Sequence, residues 1–166
     1  MFKLNDYVVY GLTGVCQIVD ICKDEYSCSN DIEYYVLTPV FSDNMTIKIP
    51  VNNPNIMMRA IVTKNDALSL IDAMPEIETI YIEDERQRSN NFKAALKTGK
   101  TEEWIRIIKT LHLEKEAKSG IGKNLTKTDE DILNNAEKHL NQEFAIALNI
   151  SPDQVVDYIL ERISLN

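Results

Sequence analysis

Residues 6–23 read DYVVYGLTGVCQIVDICK, and this stretch predicts two β-strands joined by a tight turn. Val, Ile and Tyr dominate both arms, and these residue types favour strands. Gly11 and Gly14 permit the backbone conformation that a tight turn requires. We therefore expect strands at Tyr7–Tyr10 and Val15–Lys23.

The strand-like composition continues as far as Pro50, which ends the last strand because proline has no N–H to donate. Two further strands are predicted at Glu33–Thr38 and Met45–Ile49, with a polar loop at residues 27–31. Several short antiparallel strands within about 60 residues favour a strongly curved sheet or small barrel of the SH3 or Tudor type.

From Thr63 onward, apolar residues recur every three or four positions, which is the period of amphipathic helices. Five helices are predicted, and they begin at or near Thr63, Glu83, Thr101, Thr128 and Ser151. The first helix ends at Met74, before Pro75, and the second ends at Lys97, before Gly99.

The inward faces of these helices follow from the same period. Trp104, Ile108 and Leu111 lie at i, i+4 and i+7, so we interpret Trp104 as a core residue rather than a base-stacking one. In the last helix, the residues expected to pack inward are Val155, Val156, Ile159, Leu160 and Ile163.

These patterns predict an α+β protein with two domains. A small N-terminal Tudor/SH3-like domain, a curved antiparallel β-sheet, is expected at residues 1–60. An all-α C-terminal domain is expected at residues 84–166, with helix 63–74 and linker 75–83 joining the two.

The composition favours a folded protein outside the membrane. The chain has 166 residues, of which 44% are hydrophobic, and this is enough for a packed core. It contains no apolar run as long as the roughly 18 to 20 residues that a membrane span needs. Its first residues carry Lys3, Asn5 and Asp6 where a secretory signal would be apolar, so we expect a cytoplasmic protein.

The net charge of −8 conceals an uneven distribution. Residues 1–85 hold 5 basic and 14 acidic side chains, residues 86–127 hold 11 and 4, and residues 128–166 hold 2 and 8. A basic block of net charge +7 therefore lies between two acidic segments. Such a block can attract nucleic-acid phosphates, although a solvated helical face gives the same pattern.

No motif for catalysis, a metal or a cofactor is present. The three cysteines, Cys16, Cys22 and Cys28, lack metal-ligand spacing and are interpreted as reduced thiols. The acidic runs Asp84-Glu85 and Asp129-Glu130-Asp131 are interpreted as helix-capping or solvated charges. We therefore expect a protein that is not an enzyme and that needs no cofactor.

An ordered series of short motifs runs through both halves. In the first half they are Asp6-Tyr7-Val8-Val9-Tyr10, Gly14-Val15, Tyr34-Tyr35-Val36-Leu37, Thr46-Ile47-Lys48-Ile49-Pro50-Val51 and Met58-Arg59. In the second half they are Phe92-Lys93-Ala94-Ala95-Leu96 and Thr98-Gly99. Over residues 1–148 the chain thus resembles the CarD/CdnL family of bacterial transcription factors, whose N-terminal module also occurs in transcription-repair coupling factors.

The resemblance implies a regulator that binds the RNA polymerase β subunit through its Tudor-like domain and contacts upstream promoter DNA through its helical domain. Such a protein, expected to be a monomer, alters the stability of the open promoter complex. Lys48 is the candidate polymerase contact, with an ordinary exposed strand lysine as the alternative. The candidate DNA contacts are Arg86, Arg88, Asn90, Asn91, Lys93 and Lys97.

Two departures from the family pattern favour an alternative function. Arg88 stands where family members carry a tryptophan that wedges into the minor groove, and an arginine cannot replace an apolar wedge. Glu130 and Asp131 stand where they carry a basic pair. The alternative is a polymerase-binding adaptor or scaffold with no functional DNA contact.

Overall fold

The computed structural model describes residues 1–23, 32–42 and 44–165, and the chain divides into two units. We call Met1–Ile61 the sheet unit and Val62–Asn166 the helical unit. An antiparallel sheet followed by helices confirms the predicted α+β class. The loop predicted at residues 27–31 and Cys28 lie outside the described residues.

The sheet unit is a five-stranded antiparallel sheet with the strand order β4-β3-β2-β1-β5. Its strands are β1 (Tyr7–Tyr10), β2 (Gly14–Lys23), β3 (Glu33–Pro39), β4 (Ile47–Pro50) and β5 (Met58–Ala60). The first four confirm the sequence predictions to within two residues. The fifth strand, β5, was not predicted, because three residues are too few to show alternation.

A bulge bends the longest strand of this sheet. The pairing register between β2 and β3 shifts between Ile18 and Asp20, so Val19 is an extra residue on β2. Before the bulge, Cys16 and Ile18 are buried, whereas Val19 and Ile21 are both exposed. The alternation that builds the core therefore ends at the bulge. The buried core of the unit comprises Val8, Cys16, Ile18, Tyr35, Leu37 and Ile49.

The helical unit contains five α-helices. They are α1 (Lys64–Ala73), α2 (Glu85–Lys97), α3 (Thr101–Ser119), α4 (Lys127–Leu148) and α5 (Val155–Leu165). None of the described helices is both long and apolar enough to cross a membrane. The sequence predicted that segment 63–83 joins the two domains. This segment includes α1, and α1 packs against α4 and α5 within the helical unit.

Some helix starts match the sequence predictions and two are wrong. The Thr63 hydroxyl accepts from the Asp66 backbone N–H at 3.1 Å, as predicted for α1. For α3 the N-cap is Lys100, and Thr101 is instead a buried first-turn residue. For α4 the N-cap is Thr126, two residues before the predicted Thr128. The error at α4 arises because the patterns Thr126-x-x-Asp129 and Thr128-x-x-Asp131 overlap, and local sequence does not choose between them.

A buried carboxylate explains why Thr101 is not a cap. Its hydroxyl donates to Glu143 Oε2 at 2.8 Å, and the Val62 backbone N–H donates to Glu143 Oε1 at 3.0 Å. Glu143 is fully buried in α4 and links the starts of α1 and α3. Two hydrogen bonds offset much of the cost of removing this carboxylate from water.

The packing of the helices confirms the core role of Trp104. Its indole is buried and stacks on the His139 ring of α4, with ring centroids 5.2 Å apart. A buried cluster of the unit joins α1, α3, α4 and α5 through Ile71, Ile105, Phe144 and Val155. The prediction for α5 is partly wrong, because Val156 and Leu160 are exposed.

Candidate functional site

The outer face of α2 carries three cations in a line. Arg86, Asn90, Lys93 and Lys97 are spaced i, i+4, i+7 and i+11, and all four are exposed. We call these four residues the α2 stripe. At 1.5 Å per residue the stripe is about 16 Å long, enough to follow several phosphates of a nucleic-acid backbone.

The sequence of α2 fixes which way the stripe points. Asp84 caps the helix by accepting from the Gln87 backbone N–H at 2.7 Å. Phe92 and Leu96 are buried, and they anchor the opposite face in the unit. Asn91, also a candidate DNA contact, is exposed but lies about 100° around the helix from Asn90, outside the stripe.

The structure does not make Arg88 available to DNA. Arg88 lies on the buried face of α2, four residues before Phe92, and is only 7% exposed. Its Nη2 donates to Asp129 Oδ2 of α4 at 2.7 Å, and its Nη1 lies 3.5 Å from Glu114 of α3. Asp129 is fully buried and also accepts from the Ser89 hydroxyl at 3.0 Å.

The DNA contact expected for Arg88 is therefore corrected to an internal ion pair between α2 and α4. The interpretation of Asp129 as a capping or solvated charge is wrong too, because its side chain pairs with Arg88, whereas Glu130 and Asp131 are exposed. The i, i+4, i+8 spacing of Arg88, Phe92 and Leu96 was the signal in the sequence that the arginine faces inward.

Other members of the basic block are also engaged within the helical unit. The Lys109 ammonium donates to the carbonyl oxygens of Met74, Pro75 and Ile77 at 2.7–3.1 Å, just after α1. Lys118 lies within 3.7 Å of a carboxylate oxygen of Glu85 and one of Glu114, so it joins α3 to the start of α2. The exposed cations of the block are Arg86, Lys93, Lys97, Lys100, Lys115, Lys123 and Lys127.

The start of α4 carries acidic charge. Glu130 and Asp131 are exposed in or next to its first turn. Carboxylates repel phosphate, so these two residues limit how far a DNA path could extend beyond α2. Other carboxylates form ion pairs in the described residues, among them those of Asp72, Glu85, Glu103, Glu114, Asp129 and Glu137.

Lys48 lies on β4, at one edge of the five-stranded sheet. Its side chain is exposed, whereas its neighbour Ile49 is buried, as the alternation of a strand requires. In the described part of the sheet, β4 pairs only with β3, where Lys48 lies opposite Val36. An edge strand of this kind can hydrogen-bond to a strand of a partner protein.

The described residues offer no metal site. No group of three or more His, Cys, Asp or Glu among them is placed to hold a metal ion. Burial raises the pKa of the Cys16 thiol to about 11, so this thiol stays protonated and unreactive at neutral pH. Cys22 is partly exposed and forms no disulfide.

Two family models together match most of the chain. Residues 2–62 match the CarD-like/TRCF RID domain, which corresponds closely to the sheet unit. Residues 69–160 match the CarD C-terminal domain, which covers α2, α3 and α4 and about half of α1 and of α5. No curated protein matches the chain.

Proposed function

The chain belongs to the CarD family, and from this we propose that it binds the RNA polymerase β subunit through the sheet unit and upstream promoter DNA through the α2 stripe. Its domains already identify it as a transcription-associated protein that interacts with RNA polymerase. Bound in this way, the protein alters the stability of the open promoter complex.

The observation that carries the DNA part of the proposal is the alignment of Arg86, Lys93 and Lys97 on one exposed face. Arginine and lysine bind phosphate oxygens regardless of base sequence. Asn90, in the same line, could donate to a phosphate or a groove edge. With Arg88 held inside the unit, this surface would position the protein on the DNA backbone without reading bases.

The effect on promoter opening would then arise because binding of the protein is thermodynamically linked to the equilibrium between the closed and open complexes. A protein that binds the open complex more tightly than the closed one shifts the equilibrium by the ratio of the two affinities. Formed only in the open complex, three exposed charge pairs at about 0.5 kcal/mol each would shift the equilibrium by about 1.5 kcal/mol, or about tenfold. The α2 stripe can therefore contribute a measurable regulatory effect.

The DNA part is tested with Arg86→Ala/Lys93→Ala/Lys97→Ala. We expect this variant to lose most of the protein's effect on real-time promoter opening, measured with a fluorophore in the bubble and purified polymerase. The dependence of that effect on salt should also fall, by about 2.7 in the log–log slope, since each phosphate contact contributes about 0.9. Lys115→Ala/Lys123→Ala/Lys127→Ala removes the same charge outside α2 and should change little.

The polymerase part is tested with Lys48→Glu. We expect weaker binding to purified polymerase, because the substitution reverses a charge at the proposed edge of contact. Lys23→Glu, an exposed lysine on β2, is the matched control and should bind as the unchanged protein does. Equal binding by both variants would contradict the role proposed for Lys48.

The alternative, an adaptor without a DNA contact, is favoured by Glu130 and Asp131 at the start of α4. It predicts that the triple α2 variant retains both polymerase binding and any effect on promoter opening. The same opening assay therefore distinguishes the two functions.

A further inference from the structure

The outer face of α5 exposes apolar side chains in an ordered pattern. Val156 is 50% exposed and Leu160 is 61% exposed, and they lie four residues apart on the same side of the helix. Asp153, Asp157 and Glu161 are also exposed: Asp153 lies three residues before Val156, Asp157 lies three residues before Leu160, and Glu161 follows Leu160. We call these five residues the α5 outer face.

This face is held rigidly. Val155 is fully buried, and Tyr158, Ile159 and Ile163 pack against the core of the helical unit from the other side of α5. The Arg162 guanidinium forms a two-pronged ion pair with Asp72 of α1, with N···O distances of 2.6 and 2.7 Å. The outward direction of Val156 and Leu160 is therefore fixed by packing and not by a loosely attached helix.

The exposed charges on α5 and on the turn before it are negative. All eleven residues of α5 are described, and Arg162 is its only cation. Because that cation is paired with Asp72, the three carboxylates of the α5 outer face dominate the local field. They would repel nucleic acid and anionic lipid, and they would repel one another if two copies met face to face through α5.

We propose that the α5 outer face binds a protein surface that is apolar at its centre and carries lysine or arginine at its rim. Val156 and Leu160 supply the apolar contact, and the carboxylates of Asp153, Asp157 and Glu161 pair with the basic rim. This surface is separate from β4 and from the α2 stripe, and it does not depend on the function proposed for them.

The test compares two labelled amphipathic helical peptides that share one leucine face and differ in their polar face, which is lysine in one and glutamate in the other. Anisotropy titrations with the full chain should show the lysine peptide binding at least about tenfold more tightly. Val156→Ser/Leu160→Ser should weaken that binding about tenfold. Both positions are exposed, so the variant should fold normally.

Two further variants distinguish binding at the α5 outer face from a general attraction of the lysine peptide to an acidic protein. Asp153→Asn/Asp157→Asn/Glu161→Gln should also lose affinity for the lysine peptide. Leu113→Ser/Ile121→Ser removes two apolar side chains that are similarly exposed elsewhere and should bind as the unchanged chain does.

Several outcomes would overturn the proposal. These are no binding of the lysine peptide, equal binding of both peptides, or equal losses in the α5 and control variants. Self-association that disappears in Val156→Ser/Leu160→Ser, measured by sedimentation equilibrium, would assign the face to a second copy. Binding to phosphatidylserine-containing vesicles that depends on Leu160 would assign it to a membrane.

Discussion

The buried ion pair between Arg88 and Asp129 leads to a quantitative prediction for Arg88→Met. The Asp129 side chain is 1% exposed and the Arg88 side chain 9%, with their N and O atoms 2.7 Å apart. Removing one partner of a buried pair costs about 3–5 kcal/mol, because the other charge stays buried without compensation. Asp129 retains the Ser89 hydroxyl as a hydrogen-bond donor, so we expect Arg88→Met to lower the free energy of unfolding by the smaller value of this range, about 3 kcal/mol.

The assay is urea unfolding followed by the fluorescence of Trp104, the single tryptophan of the chain. Trp104 is buried in the helical unit, so its signal reports the unit that contains the ion pair. Arg86→Met, on the exposed face of the same helix, is the matched control and should stay within about 0.5 kcal/mol of the unchanged chain.

A double variant separates the ion pair from simple loss of packing. Arg88→Met/Asp129→Leu replaces both charges with apolar groups, and such replacements are often neutral. We expect it to recover at least about 2 kcal/mol of the loss seen in Arg88→Met. Ser89 is only partly buried, so water can replace its lost acceptor.

Two results would refute this reasoning. Arg88→Met could unfold at the same urea concentration as Arg86→Met, which would show that the pair contributes nothing to stability. Alternatively, Arg88→Met could leave stability unchanged and abolish the effect on promoter opening. Arg88 would then contact DNA in solution, and the internal role assigned to it would be wrong.

Two further predictions concern titratable groups. Burial, followed by the nearby Lys138, lowers the pKa of His139, and Glu143 opposes this in part, so the folded helical unit favours a neutral ring. The stability that the neutral His139 ring contributes is present above the unfolded pKa of about 6.5, and it is lost as the pH falls below that value. His139→Phe should therefore flatten the pH dependence of the free energy of unfolding, measured in urea, between about pH 5 and 7. In a Cys28→Ser background, Cys16, with its pKa of about 11, should react with a disulfide reagent at neutral pH at least about tenfold more slowly than Cys22, and equal rates would contradict its burial.

Much of the fold follows from local patterns in the sequence. Alternation placed four strands, and the helical period with Thr63, Pro75 and Gly99 placed α1 and α2 to within about two residues. The exposure of Arg86, Lys93 and Lys97 also follows, because Phe92 and Leu96 set the buried face of α2. These features depend on interactions between residues a few positions apart, and such interactions are visible in a linear sequence.

Only the tertiary structure decided which charged and apolar groups are paired, buried or exposed when their partners are distant in the sequence. Arg88 and Asp129 are 41 residues apart, and Thr101 and Glu143 are 42 apart, so no local pattern joins them. The inward face of α5 was predicted too broadly for a related reason, because its apolar residues surround more of the helix than one neighbour can cover. The sequence determined which residues can be buried or charged, and packing between distant helices determined which of them remain available to a partner.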